Sequence, residues 1–333
     1  MLSRYIERSW YQPAGLLTLL LFPFSVMFCI VAIARRCFFR MNILRSEKVS
    51  VPVIVVGNIS VGGTGKTPLV IAITQYLKAQ GYNPGVICRG YGGNAQHWPQ
   101  QVTLNSNPEL VGDEAVLIAN RCRCPVCVGP SRIESAKLLI NNGNCDVIVS
   151  DDGMQHYKMK RDIEIAVIDG KRGMGNGFCL PAGPLRELPF RLNTVTMKVS
   201  NGSEQDGMHK MELKSYAFYH INDETNLKPL DAFAGSEAHA LSGIGNNERF
   251  FQNLRDLGIK IRNHSYPDHY HYKASDCDFK DSLPVLMTEK DAVKCKKFPI
   301  SDAWYLKVDA LLSNSFYEKL IEKLRKSYGQ KIA

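Results

Sequence analysis

Val51-Pro-Val-Ile-Val-Val56, then Gly57-Asn58-Ile59, then Ser60-Val61-Gly62-Gly63-Thr64-Gly65-Lys66-Thr67-Pro68: this stretch decides the fold. The opening run is dominated by β-branched residues and predicts a short strand. Gly62, Gly63 and Gly65 allow the backbone N–H groups to turn inward toward phosphate oxygens. Pro68 falls in the first turn of a helix predicted over 69–79, where its missing N–H costs nothing. Strand, glycine-rich loop and helix in that order form the setting of a loop that binds a nucleoside triphosphate. Lys66 would reach the β- and γ-phosphates, the Thr67 hydroxyl would ligate Mg²⁺, and the helix N-terminus adds a favourable dipole. The usual pattern opens with glycine, and here Ser60 stands in that place while Gly-Gly-Thr-Gly-Lys-Thr is intact.

A phosphate loop needs an acidic partner from a neighbouring strand. Asp146-Val-Ile-Val-Ser-Asp151-Asp152-Gly153 supplies two carboxylates that would hold Mg²⁺ directly or through water. A solvated turn after a strand looks the same in isolation. Further strands are predicted at 85–88 and 163–168, with a helix at 132–141. Their alternation predicts a P-loop NTPase-type α/β fold, a parallel sheet flanked by helices. Guanine-specific loops of this kind carry an N/T-K-x-D motif. Thr288-Glu-Lys-Asp291 has its lysine in the wrong place, so ATP is the expected nucleotide.

N-terminal to the loop, the 25 residues from Trp10 to Ala34 carry no charge. A run of about 20 apolar residues is enough to cross a bilayer core. Pro13 and Pro23 interrupt it, so a helix lying in the interface fits as well. Arg4 and Arg8, offset by Glu7, precede it, and Arg35, Arg36, Arg40 and Arg45 follow. The heavier positive flank is C-terminal, which predicts that the body of the protein lies on the cytoplasmic side.

The chain has 333 residues, 45% of them apolar and 22% charged, enough for two cores. The polar stretch Asn201–Gly207 suggests a boundary. The expected division is a membrane-anchoring segment (1–45), a P-loop nucleotide-binding domain (46–205) and a smaller C-terminal α/β domain (206–333). A net charge of +9 asks for an acidic partner. Lys and Arg are dispersed, with no basic helix, so nucleic acid is not the expected one. The ten cysteines are read as reduced and cytoplasmic. Cys122-Arg-Cys124-Pro-Val-Cys127 lacks a nearby fourth ligand and reads as ordinary buried thiols.

Four segments could carry acceptor chemistry. Arg89-Gly-Tyr91-Gly-Gly93 follows a strand and offers a cation at the sheet's C-terminal edge, where α/β ligands bind. Asp113 starts a helix, where an acidic residue is commonly an N-cap. Leu180-Pro-Ala-Gly-Pro-Leu-Arg186-Glu187 is a stiff loop with a charged tip. Ser265-Tyr-Pro-Asp268-His269-Tyr-His271-Tyr272 is a polar aromatic cluster whose histidines read as readily as hydrogen-bonded structure as catalysts.

In order, VGNISVGGTGKTP, CRGYGG, GDEA, DDGMQH, RD, LPAGPLRE, SGIG, SYPDHY and TEKDAVK resemble the tetraacyldisaccharide 4'-kinase family, the lipid A kinases of Gram-negative bacteria. The resemblance runs from the hydrophobic segment to about residue 295. DDGMQH, LPAGPLRE and SYPDHY in that order are its specific part. Ser60 resembles the family's own form of the loop, and Met154 stands where the family often has Phe. The resemblance implies transfer of the γ-phosphate of ATP to the 4'-hydroxyl of a tetraacylated disaccharide 1-phosphate, giving the lipid A precursor lipid IV-A at the cytoplasmic face of the inner membrane. It implies that Asp113 is the base for the acceptor hydroxyl and that His269, from the second domain, orients or tunes it. It also implies that Arg186 and Glu187 meet phosphates or Mg²⁺ and that Arg89 contacts substrate phosphate. The alternative is a membrane-tethered P-loop ATPase acting as a switch or partition module. Such a protein would have no use for Asp113, His269 or the LPAGPLRE loop.

Overall fold

The computed structural model describes residues 2–332, and side chains within 5–329; the side chain of Arg4 lies outside the described residues. The chain runs α1 (Leu2–Ser9), α2 (Leu16–Arg40), β1 (Val53–Gly57), α3 (Lys66–Ala79), β2 (Pro84–Cys88), β3 (Gln100–Val102), α4 (Pro108–Val111), α5 (Asp113–Cys122), β4 (Val126–Val128), α6 (Arg132–Gly143), β5 (Val147–Asp151), β6 (Ile163–Asp169) and β7 (Met197–Asn201). It continues through β8 (His209–His220), β9 (Asp223–Pro229), β10 (Glu237–Ser242), α7 (Asn247–Asp256), β11 (Lys260–Ser265), α8 (Ala274–Cys277), β12 (Val285–Thr288), α9 (Glu289–Cys295), β13 (Ala303–Leu312) and α10 (Asn314–Ile332).

Among the described residues all thirteen strands join one sheet, ordered β11-β10-β12-β13-β8-β7-β6-β1-β5-β2-β4-β3, with β9 on β8. The part from β7 to β4 is parallel, and β10, β11, β12 and β13 form a second parallel set. The two sets meet where β8 pairs parallel with β7 and antiparallel with β13. The predicted strands around the phosphate loop are present. They are buried on both faces, as β-branched runs without alternation require of a covered parallel sheet.

β1 lies between β5 and β6, so its C-terminal end delivers the phosphate loop beside the carboxylates that end β5. One core of Ile54, Val56, Leu69, Ile73, Val149 and Ile165 clamps α3 to the sheet. A second, containing Val53, Val55, Ile148 and Met154, fills the opposite face, and Phe28 and Cys29 of α2 pack against it.

The charge-free segment forms α2, which continues through Pro23. Thr18, Ser25 and Phe39 are buried at spacings of seven and fourteen residues, so one stripe of the helix docks along nearly its full length. The Ser25 hydroxyl donates to the Cys179 carbonyl at 2.7 Å, and Arg35 Nη1 donates to the Gln155 carbonyl at 3.2 Å. The other faces expose Leu16, Leu19, Leu20, Phe24, Met27 and Ile30.

Phe218 of β8 sits at the junction of the two strand sets, fully buried and edge-on to Phe233 at 5.1 Å. Phe218→Ala is expected to cost about 3–5 kcal/mol. Urea unfolding would register this as a lowered midpoint, and an unchanged midpoint would show that β8 contributes little to the core.

Candidate active site

The phosphate loop is held from three sides. Gly65, the N-cap of α3, has φ +93°, and a Cβ there would come within 2.6 Å of Asn201 Nδ2. That amide donates to the Thr64 carbonyl at 2.9 Å, while Asn58 Nδ2 donates to Thr64 Oγ1 at 3.2 Å. On the second side the loop that contains Arg186 runs against the strand exit: Val61 N donates to the Pro184 carbonyl at 2.8 Å and Arg186 N to the Ile59 carbonyl at 2.6 Å. On the third, Gly63 faces Gly245 of the loop after β10 closely enough that a Cβ on Gly245 would meet Gly63 N at 3.0 Å.

Lys66 and Thr67 open α3 and face the end of β5. The Thr67 hydroxyl donates to Asp151 Oδ2 at 3.2 Å, and Lys66 Nζ lies 3.7 Å from Asp152 Oδ1. Arg186 Nη1 reaches both oxygens of Asp152, at 3.1 and 3.0 Å. The two neighbouring carboxylates therefore differ. Burial would raise Asp152, but Lys66 and Arg186 overcome it and hold the carboxyl low. Burial, reinforced by the charge of Glu114, pushes Asp151 up to about 7 against the pull of Lys66. Its Oδ1 is buried and accepts no hydrogen bond. A buried carboxylate oxygen with no hydrogen-bond partner, beside a threonine hydroxyl, is a donor set that fits a hard divalent cation such as Mg²⁺.

Glu187 turns behind the loop. Gln155 Nε2 donates to its Oε1 at 2.7 Å, the Tyr157 hydroxyl donates to its Oε2, and Arg191 Nε lies 3.4 Å away. Arg89 is exposed on the wall of a cleft of about 1520 Å³ that also takes in Lys66, Asp151, Arg186 and the Val31–Arg35 part of α2.

Asp113 and His269, 156 positions apart, are in contact: His269 Nδ1 lies 3.0 Å from Asp113 Oδ1. Gly112, at φ +91°, turns the chain into α5, and a Cβ there would come within 2.8 Å of the Tyr91 carbonyl. The Tyr91 ring packs on the His269 ring at 4.8 Å between centroids. Asp113 is 4% exposed. Burial would raise its pKa, but the His269 hydrogen bond and the Lys290 charge outweigh this and hold the carboxyl well below the ordinary range. For His269, burial favours the neutral ring, yet the hydrogen bond to Asp113 wins and raises its pKa. Glu114, next in the chain, lies close enough to Asp151 to act on its ionisation, so the two halves of the cleft are electrostatically joined.

Three contributors escaped the sequence reading. Asn201, read as part of a polar boundary, is a buried clamp on the phosphate loop. Lys290, seen only in the failed guanine motif and in TEKDAVK, and Lys294, seen only in TEKDAVK, lie 3.9 and 3.6 Å from Asp113 Oδ2. Their spacing of four on a short helix was the available signal. Among the described residues no group of three His, Cys, Asp or Glu side chains is arranged to hold a metal by itself. Cys122 and Cys127 are buried free thiols.

A family model described as Tetraacyldisaccharide-1-P 4'-kinase matches residues 17–325. The tetraacyldisaccharide 4'-kinase of Nitrosococcus oceani is 46% identical over 332 residues, covering 99% of this chain and 97% of its own. That of Legionella pneumophila (strain Corby) is 44% identical over 317 residues, 95% of this chain and 96% of its own. Among solved structures, the "apo" form of LpxK from Aquifex aeolicus in complex with ATP superposes with a TM-score of 0.78 at 28% identity, over 93% of this chain and 99% of that one.

The His269 environment gives a direct test. Asp113→Asn removes the charge that favours the imidazolium, leaving burial and Lys290 to oppose it, so the His269 pKa is expected to fall below the ordinary histidine value. An NMR titration of the ring protons reads this, and an unchanged midpoint would mean that the two side chains are not paired in solution.

Proposed function

Since the chain belongs to the tetraacyldisaccharide 4'-kinase family, an enzyme family, we propose that it transfers the γ-phosphate of ATP to the 4'-hydroxyl of a tetraacyldisaccharide 1-phosphate, yielding lipid IV-A. The observation that carries this reading is the Asp113–His269 pair at the rim of a cleft whose other wall is the phosphate loop. In the proposed reaction Lys66 and the loop amides bind the β- and γ-phosphates. Thr67 and Asp151 would hold Mg²⁺, whose charge would offset that of the phosphates. Arg186, which already spans Asp152, lies where it can meet phosphate oxygens, and Arg89 offers a cation to the lipid's phosphate. Glu187 supports the Arg186 loop through Gln155 and Tyr157.

The acceptor O–H bond breaks as its oxygen attacks the γ-phosphorus. The proton passes to Asp113, and the bond from the γ-phosphorus to the bridging oxygen breaks with its electron pair leaving on ADP. A low pKa suits this role. Phosphoryl transfer is largely dissociative, so the carboxylate first orients the hydroxyl and takes its proton late. His269 keeps the carboxylate ionised and aimed. The segments 46–205 and 206–333 supply Asp113 and His269 respectively, so the pair forms only where the two parts meet.

We place the protein on the inner membrane with its body on the cytoplasmic face. α2 docks through Thr18, Ser25 and Phe39 while its remaining faces stay apolar, which supports a helix immersed lengthwise in one leaflet rather than one crossing the bilayer. The acyl chains then remain in lipid while the sugar enters the cleft beside Val31 and Arg35. Extracting them would cost about 0.8 kcal/mol per CH₂.

Two experiments test these assignments. With labelled ATP and disaccharide 1-phosphate lipid, the protein should produce a lipid carrying a second phosphate. Asp113→Ala should lower kcat by about 10²–10⁴-fold with ATP affinity within a few-fold. Activity close to wild type in that variant would remove Asp113 as the base, and phosphate release without lipid transfer would favour the switch-type ATPase. Separately, charging the exposed face with Leu20→Glu, Met27→Glu and Ile30→Glu together, positions that are 64, 61 and 61% exposed, should release the protein from vesicles in a flotation assay without unfolding it. Retained flotation would contradict the anchor.

A further inference from the structure

Helix α9 carries two lysines that the mechanism above leaves without a task. Lys290 Nζ lies 3.0 Å from Glu114 Oε1, 3.1 Å from Asp268 Oδ1, 3.5 Å from His269 Nε2 and 3.9 Å from Asp113 Oδ2. Lys294 Nζ lies 3.6 Å from the same Asp113 oxygen and 3.0 Å from Asp291 Oδ1. Asp113 Oδ1 is already engaged, accepting from Glu114 N at 2.8 Å and facing His269 Nδ1. Oδ2 accepts no hydrogen bond and is held only by the two ammonium groups. It is the oxygen with lone pairs to spare for an incoming proton.

The position of Lys290 also bears on His269. An ammonium facing Nε2 sets donor against donor if that nitrogen carries a proton, and makes a hydrogen bond if it does not. When the ring is neutral, the proton that stays is therefore on Nδ1, the one that points at Asp113. Lys290 remains charged to do this: burial would strip its proton, but Glu114, Asp113 and Asp268 overcome that.

Nor is α9 free to shift. At the far end of α5, Arg121 Nη1 pairs with Glu289 at 2.7 Å and Arg121 Nη2 with Asp309. The Asp291 carboxylate accepts from Gly243 N at 3.0 Å, the Thr288 hydroxyl at 2.6 Å and the Tyr272 hydroxyl at 3.0 Å. The helix that carries Asp113 and the helix that carries Lys290 are thus tied at both ends.

We propose that Lys290 is a positioning residue for phosphoryl transfer: it selects the His269 tautomer that donates to Asp113 and holds the loop bearing Asp268 and His269 against α5, without touching either substrate. This rests on the reading of Asp113 as the base. The charged groups that face the dyad are Glu114 from α5, Asp268 from the loop after β11, and Lys290, Asp291 and Lys294 from α9.

The test compares Lys290→Met, Lys290→Gln and Lys290→Arg with Asp113→Asn in the lipid assay between pH 5 and 9. Lys290→Met and Lys290→Gln should lower kcat by about 10- to 100-fold, with the KM for ATP nearly unchanged. Loss of the lysine charge removes a charge that opposes the imidazolium, so the limb of the kcat profile set by His269 should move to higher pH. Lys290→Arg, which keeps the charge, should recover most of the rate and the original profile. The inference is overturned if a folded neutral variant, judged by its thermal midpoint and ATP binding, keeps the wild-type kcat and pH profile, or if arginine does no better than glutamine. Should Asp113→Asn itself stay active, the base reading falls and this inference with it. An inactive Asp113→Asn beside a silent Lys290→Met overturns the role of Lys290 alone.

Discussion

One hydrogen bond, from His269 to Asp113, sets the demand that the architecture has to meet. Asp113 opens a helix lying between β3 and β4, while His269 follows β11, the opposite edge strand. The two touch because α5 and α9 pack against each other and so bring the loop after β11 to the start of α5. The cross-links between those helices, Arg121–Glu289 at one end and Lys290–Glu114 at the other, keep the approach in register. Backbone conformations that few residues tolerate are spent here too: Gly112 at φ +91° and His269 itself at φ +57°.

Three carboxylates in and beside the cleft sit in different electrostatic circumstances. Asp113 and Asp152 each sit against cations that overcome burial and keep them ionised. Asp151 has Lys66 and Arg132 nearby, but burial and the charge of Glu114 outweigh them and push it up to about 7. Surroundings rather than residue type separate them, which is how one acidic side chain serves as proton acceptor, cation bridge and metal ligand within a single site. The proposed mechanism assigns those tasks in that order.

The donor half was legible because its chemistry is local. A strand, three glycines, a lysine and a threonine occupy consecutive positions, and the Asp151-Asp152 pair ends the next strand in the sheet. The parallel arrangement of β1, β2, β5 and β6 followed from β-branched runs alternating with helices. The acceptor half was not legible from residues alone, because its members lie on α5, the loop after β11 and α9, and nothing in their local patterns ties them together. Asp113 reads as an N-cap and Lys290 as the misplaced lysine of a failed guanine motif. Asn201 was obscured for a related reason: it is the last residue of β7 and also borders a polar loop, so composition suggested a boundary where the fold places a buried clamp. Only the ordered set of motifs bridged these separations. The antiparallel pairing of β8 with β13 left no trace, since strand order depends on long-range contacts that periodicity does not encode.

The docked stripe of α2 has a kinetic meaning as well. A helix tethered at one point would let the body tumble. On the anchoring proposed above, a helix fixed from Thr18 to Phe39 would leave the body free only to spin about the membrane normal and to drift sideways. Were the apolar faces in lipid, the mouth of the cleft would keep one height and one tilt. The search for a lipid acceptor would then be diffusion in a plane, governed by molecules per unit area rather than per unit volume. ATP would arrive from the bulk. Crowding of the leaflet and dilution of the solution would therefore act on the two substrates separately.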